Sequence, residues 1–108
     1  MTVIEILNRV DELKPNTFPQ KMKENWLMEL EAKALRLMSQ YEEEIPEAEL
    51  HMDDAEIYVL WLFAMIDFHN EEYEKYNNSM AMFQTAYSEF ERRYNRTHTH
   101  RQTRNVYF

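Results

Sequence analysis

The 108-residue sequence has no glycine, no cysteine and only three prolines, Pro15, Pro19 and Pro46. Tight sheet turns and phosphate-cradling loops need residues that reach positive φ at little cost, a property of glycine. Its absence argues against a dinucleotide-binding βαβ unit, a P-loop or a glycine-rich barrel. It favours helices joined by turns marked with Asn and Pro. Without cysteine there is no disulfide framework, no thiol chemistry and no Cys-ligated zinc, which fits a reducing compartment. Long apolar runs are missing too. The longest, residues 57–66, is about half of what a bilayer requires and is flanked by Asp53, Asp54, Glu56 and Asp67. It predicts a buried helix and no membrane span. Met1-Thr2-Val3-Ile4-Glu5 lacks the basic start and apolar stretch of a signal peptide, so none is expected.

What is present is a folding composition: 44% hydrophobic and 30% charged residues, rich in Met, Leu, Ala, Glu and Lys. That is too apolar for a disordered chain and enough for one domain with one core. The charge is divided. All 20 acids precede Arg92, together with seven Lys or Arg, a net charge of −13. Residues 92–108 carry five Arg and no acid. The acidic body repels nucleic acid, whereas the basic end suits an acidic partner or a phosphate backbone.

The spacing predicts four helices. Thr2 and Glu5 have capping-box spacing for a first, ended by Pro15. Thr17 and Gln20, with Pro19 in the first turn, predict the start of a second, carried by Met22, Trp26, Leu30, Ala34, Leu37 and Tyr41. Lys23, Glu24, Glu31 and Gln40 mark its wetter side. Residues 43–52 read as a connection, after which Asp53 and Asp54 offer caps for a third helix over 55–68. That helix is apolar on nearly all sides, and a short chain has few elements with which to wrap it. Sharing with a neighbouring subunit is therefore expected, through Tyr58, Trp61, Leu62 and Met65. Beyond Asn70, the residues Tyr73, Tyr76, Met80, Phe83, Tyr87, Phe90 and Tyr94 alternate steps of three and four, a seam that predicts docking onto the second and third helices. The periodicity stops at Asn95. The expected fold is all-α, a four-helix compact domain over 1–95 with a basic extended C-terminal tail over 96–108.

Little here points to chemistry. His98 and His100 have a metal-like spacing, but only His69 or Asp53 offer themselves as distant further ligands, so no metal site is expected. Asp53-Asp54 and Glu71-Glu72 stand where helix caps belong, and Glu42-Glu43-Glu44 is a solvated run. Tyr58 reads as a satisfied hydroxyl and Asp67 as a helix-surface acid. No nucleophile has a base at recognisable spacing, so neither catalytic residues nor a cofactor is expected. Arg92, Arg93, Arg96, Arg101 and Arg104, with Tyr94, Tyr107 and Phe108, make a modest nucleic-acid footprint with no recognition helix to carry it. A protein-docking tail is favoured, with Arg96, Arg101 and Arg104 for acids and Val106, Tyr107 and Phe108 as apolar anchors.

Three stretches carry a family resemblance: Ile57-Tyr58-Val59-Leu60-Trp61-Leu62-Phe63-Ala64-Met65-Ile66-Asp67-Phe68, then Glu71-Glu72-Tyr73-Glu74-Lys75-Tyr76-Asn77-Asn78-Ser79-Met80-Ala81-Met82-Phe83, then Tyr94-Asn95-Arg96-Thr97-His98. Together with Lys14-Pro15-Asn16 and Trp26-Leu27, they resemble the small helical head–tail connector (head-completion or adaptor) proteins of tailed bacteriophages and prophages. The segment 44–52 departs from that pattern, with more acid and less Pro-Tyr-Asp character, which puts its contacts in doubt. The resemblance implies a structural protein that forms a ring, typically twelvefold, beneath the portal protein and joins the DNA-filled head to the tail. A tail-side connector or stopper protein would be the second partner, and DNA would pass through the channel without specific binding. The implied location is the virion head–tail junction, and the bacterial host cytoplasm during assembly. In this family the C-terminal segment reaches the portal, which maps by position to 96–108. The rival expectation is a small helical regulatory or DNA-associated protein of a mobile element.

Overall fold

The computed structural model describes residues 1–39 and 50–106, with side chains as far as Thr97. The described chain forms α1 (Val3–Leu13), α2 (Gln20–Ser39), α3 (Ala55–His69) and α4 (Tyr73–Val106), and the described residues contain no strand. The all-α, four-helix expectation holds. The predicted connection is described only from Leu50 onward, because residues 40–49 lie outside the described chain.

Local chemistry sets most of the boundaries. Thr2 Oγ1 accepts from the Glu5 amide and Glu5 Oε1 accepts from the Thr2 amide, both at 3.2 Å, which completes the capping box. At the other end of α1 the Lys14 amide bonds the Val10 carbonyl, and Pro15 follows. Asn16 holds the turn into α2, and Thr17 does not cap it as expected. Asn16 Oδ1 accepts from the Phe18 amide at 3.1 Å, while its Nδ2 donates to Asp11 Oδ1 and to the Lys14 carbonyl. An Asx side chain sits closer to the backbone than a threonine hydroxyl and competes well for such amides. Asp54 caps α3 by accepting from the Glu56 amide at 3.0 Å.

Between α3 and α4 the chain turns in three residues. The Glu71 amide bonds the Phe68 carbonyl and the Glu72 amide bonds the Asp67 carbonyl, the two bonds of a Schellman turn. That motif places its C′ residue in the left-handed region, and here the residue is Glu71, at φ 62°. With no glycine in the chain, a residue with a Cβ takes the position.

α3 is the central element. α4 runs antiparallel to it, with Ser79 beside Asp67, Phe83 against Trp61 and Arg93 beside Asp53. α2 crosses its other side, where the Trp61 indole donates to the Trp26 carbonyl at 2.8 Å. α1 closes the remaining side, through Arg9 to Glu56 and Lys14 to Asp67. Ile57, Tyr58, Val59, Leu62, Ala64 and Ile66 are consequently buried within this one chain. Burial of a large apolar side chain contributes about 1.5–3 kcal/mol, so α3 supplies much of the core. Of the residues expected to meet a neighbouring subunit, Tyr58 and Leu62 are instead covered by the chain's own helices, while Trp61 and Met65 stay half-buried.

The seam of α4 is also corrected in part. Phe83, Tyr87 and Phe90 are buried, Tyr76, Met80 and Tyr94 are half-buried, and Tyr73 is 54% exposed. The seam faces chiefly α3, and α2 reaches it through Lys33, whose ammonium lies 4.5 Å from the Tyr87 ring centroid. A further correction concerns residues 96–106, expected to be extended and found to continue α4 to Val106. No Pro or Gly interrupts that stretch, and Arg and Gln are good helix formers, so propagation of an existing helix needs no apolar periodicity.

Candidate functional site

The chemistry that sequence patterns hinted at is absorbed by structure. Of the acid pairs, Asp54 caps α3, Asp53 pairs with Arg93 at 3.1 Å, and Glu71-Glu72 form the turn. His69 is engaged: its Nδ1 donates to the Met65 carbonyl at 2.8 Å and its ring lies 4.7 Å from that of Trp26. Among the described residues no cluster of His, Asp or Glu is arranged to hold a metal ion, and no helix is long and apolar enough to cross a membrane. The His98 and His100 side chains lie outside the described ones.

Three buried ionic groups stand out. Lys23 and Glu31, placed by periodicity on the wet side of α2, are 4% and 2% exposed, and Asp67 is 1% exposed rather than a surface acid. Each has partners. Lys23 Nζ lies 2.7 Å from Asp11, tying α2 to α1, and Lys14 Nζ lies 2.6 Å from Asp67, tying α1 to α3. Glu31 collects three donors. Its Oε1 accepts from the Tyr58 hydroxyl at 2.6 Å, and its Oε2 accepts from the His51 amide at 2.9 Å and His51 Nδ1 at 2.7 Å. The Tyr58 hydroxyl accepts in turn from the Met52 amide at 2.9 Å. One carboxylate thus fastens the 50–54 segment onto α2 and α3. Desolvation and the hydrogen bond to Glu31 push the Tyr58 phenol far above its ordinary value, so it serves as a fixed donor and not as an acid at neutral pH.

Next to this network, Met38, His51, Asp53, Phe90, Arg93, Tyr94 and Thr97 line a shallow cavity of about 330 Å³ between α2 and α4. Asp53 and Arg93 pair with each other, His51 pairs with Glu31, and the Thr97 hydroxyl donates to the Arg93 and Tyr94 carbonyls, so no convergent reactive set stands there among the described residues.

The expected self-association residues do not share a surface. Tyr58 and Leu62 are fully buried inside the chain, while Trp61 and Met65 are half-buried against the core. Of the expected docking residues, Arg96 is exposed on α4, and Arg101, Arg104 and Val106 lie on its helical backbone. Tyr107 and Phe108 lie outside the described residues. Two features stand at opposite ends of α4: its C-terminal end, basic in sequence, and an aromatic corner around the α3–α4 turn. At the corner Phe68 is 44% exposed and its ring neighbours those of His69, Tyr73 and Tyr76 at 5.2–5.9 Å. Comparison with known proteins adds no assignment: no family model, curated protein or solved structure matches the chain.

Proposed function

We propose that this chain is a protein-docking adaptor of the phage head–tail junction, a ring-forming connector that sits beneath the portal and holds it through the C-terminal end of α4. The observation that carries the reading is the way α4 outruns its own core. Phe90 is its last buried residue among the described side chains, Asn95, Arg96 and Thr97 are exposed, and the helix continues to Val106. A helix end of this kind, bearing Arg96, Arg101 and Arg104 and followed by Tyr107 and Phe108, has the charge and the aromatic anchors of a docking element. The net charge of −13 before Arg92 suits a channel wall along which DNA slides without adhering. The family resemblance supplies the identity of the partners, the portal protein and a tail-side connector or stopper, and of the place, the virion junction after assembly in the host cytoplasm.

Co-sedimentation with purified portal rings or tail-less heads tests this. The double change Tyr107→Ala with Phe108→Ala is expected to abolish most attachment while leaving the melting temperature of the free protein unchanged. Full-strength attachment by that variant would sink the reading. The rival, a DNA-associated regulator of a mobile element, gains one point: Arg92 and Arg96 are exposed one turn apart on a continuous helix, the carrier the sequence had not predicted. Tight DNA binding that weakens steeply with salt, with no portal attachment, would favour it.

A further inference from the structure

We propose that the aromatic corner at the α3–α4 turn receives the basic end of α4 from a second copy of this chain, making a head-to-tail contact. The proposal rests on the ring reading above and names the two surfaces that meet: the arginines of the end face the next copy, and Tyr107 and Phe108 beyond them are left to the portal. Phe68 and Tyr73 are 44% and 54% exposed, and their rings lie 5.9 Å apart beside those of Tyr76 and His69. Glu71, Glu72 and Glu74 stand at the same turn, all exposed; Glu72 is paired with Lys75 at 3.2 Å, which leaves the carboxylates of Glu71 and Glu74 for an incoming cation. Ring faces next to carboxylates are what a guanidinium binds, by cation–π attraction and paired hydrogen bonds together. Residues 92–108 carry five Arg and no acid, and with Arg93 held by Asp53 at 3.1 Å the other four can supply that group.

The occupant cannot be the chain's own end. The 34 residues of α4 rise about 51 Å at 1.5 Å each, and the longest extent of the molecule is 52 Å. α4 therefore runs the full length, with Tyr73 near one pole and Val106 near the other. Its basic end reaches an aromatic corner only on another copy. Two different surfaces at opposite poles make a heterologous contact, which closes into a ring where the rotation between copies permits and otherwise extends as a filament.

The test uses full-length chains in sedimentation velocity, from micromolar upward, at about 50 mM salt, where charge pairing is little screened. One variant spoils the corner, Phe68→Ser with Tyr73→Ser. The other spoils the end, Arg96→Glu with Arg101→Glu and Arg104→Glu. Wild type is expected to form species larger than a dimer. Each variant alone should associate about 100-fold more weakly, since hydrophobic contact is lost in one and like charges face each other in the other. An equimolar mixture should give a one-to-one dimer and nothing larger, because only one sound corner and one sound end are present. Tyr73→Ser alone serves if the corner variant fails to melt cooperatively. Wild type that stays monomeric, variants that assemble like wild type, or a mixture without the dimer each overturn the contact. Portal co-sedimentation of the corner variant separates this from the connector reading: its end is intact, so attachment persists if that reading holds, whatever happens to self-association.

Discussion

Toward α4, the central helix α3 meets a ladder of aromatic rings; toward α2 and residues 50–54, it meets a buried carboxylate. On the first side Phe83 lies 5.1 Å from Trp61, and Phe83, Tyr87, Phe90 and Tyr94 follow one another along α4 at 5.7–5.9 Å. On the second, Glu31 gathers Tyr58 and His51. The aromatic side gains from area removed from water and tolerates imprecise geometry. The polar side gains little net energy from each bond but suffers heavily when one partner is removed, because the others stay buried without a mate. The two sides therefore divide the work. The ring ladder supplies stability, and the carboxylate, with the Leu50–Met1 and Asp53–Arg93 contacts, fixes where residues 50–54 lie.

The sharpest way to break the comparison is to empty one rung of the ladder. Phe90→Ala should cost about 3–5 kcal/mol, the range for a large buried aromatic, and for a small domain that removes much of the total stability. Urea unfolding followed by circular dichroism reads it. A loss below about 1 kcal/mol would mean that α4 is held elsewhere.

The polar side should give a smaller loss with a different signature. Glu31→Gln keeps the shape and leaves an oxygen for Tyr58, but it sets an amide NH₂ against the two His51 donors. The imidazole can change tautomer and accept at Nδ1, so the His51 amide is the donor left unpaired, at a cost of about 1–3 kcal/mol. The signature is local: amide exchange at His51 and Met52 should quicken far more than at Phe83 or Phe90, and Phe90→Ala should not reproduce that bias.

Alkaline pH sharpens the comparison further, since each side holds one buried tyrosine. Burial, with the Glu91 charge nearby, pushes Tyr87 up to about 12, partly offset by Arg36, and Tyr58 lies higher still. Unfolded phenols ionise near pH 10, while both native ones keep their protons beyond it. The native state then binds more protons than the unfolded chain, so stability is fully present below pH 10. It falls above that by about 1.4 kcal/mol per pH unit for each tyrosine. Tyr87→Phe keeps the ring and should remove one proton from that slope. A slope unchanged between pH 10 and 11.5 would contradict the burial of Tyr87.

How much of this was legible in the sequence follows from the same contrast. The capping box of α1, the Asp54 cap and the burial of Phe83, Tyr87 and Phe90 were readable, because periodicity and cap spacing depend on local geometry. Glu31 and Lys23 were misplaced because type outweighed position. Glu31 stands four residues after Leu27 and three before Ala34, and Lys23 three before Trp26, all buried positions of α2. Helical spacing alone would have put both inside. Their partners, His51 and Asp11, come from other elements and leave no trace in a single helix. The helical course of 96–106 was missed for the opposite reason: a helix already nucleated propagates without an apolar face. Of the candidate surfaces, the basic end was readable from composition. The aromatic corner was not, because it joins Phe68 from the end of α3 with Tyr73 and Tyr76 from the start of α4.

The smallest expected effect lies in the turn between the two sides' shared helix and its aromatic partner, and it is a gain. Glu71 sits at φ 62°, where a Cβ crowds the backbone and costs about 1 kcal/mol. Glu71→Gly removes that crowding. It also gives the unfolded chain more freedom to lose, which takes back part of the benefit. A net gain of about 0.5 kcal/mol is expected, or a rise in melting temperature of about 2–4 °C for a domain of this size. Glu71→Ala separates conformation from charge: it deletes the carboxylate but keeps the Cβ, so it should leave the melting temperature unchanged. If both variants stabilise equally, repulsion among Glu71, Glu72 and Glu74 is the cause, and the left-handed turn is not under strain. If neither does, the added freedom of the unfolded glycine chain takes back the whole benefit.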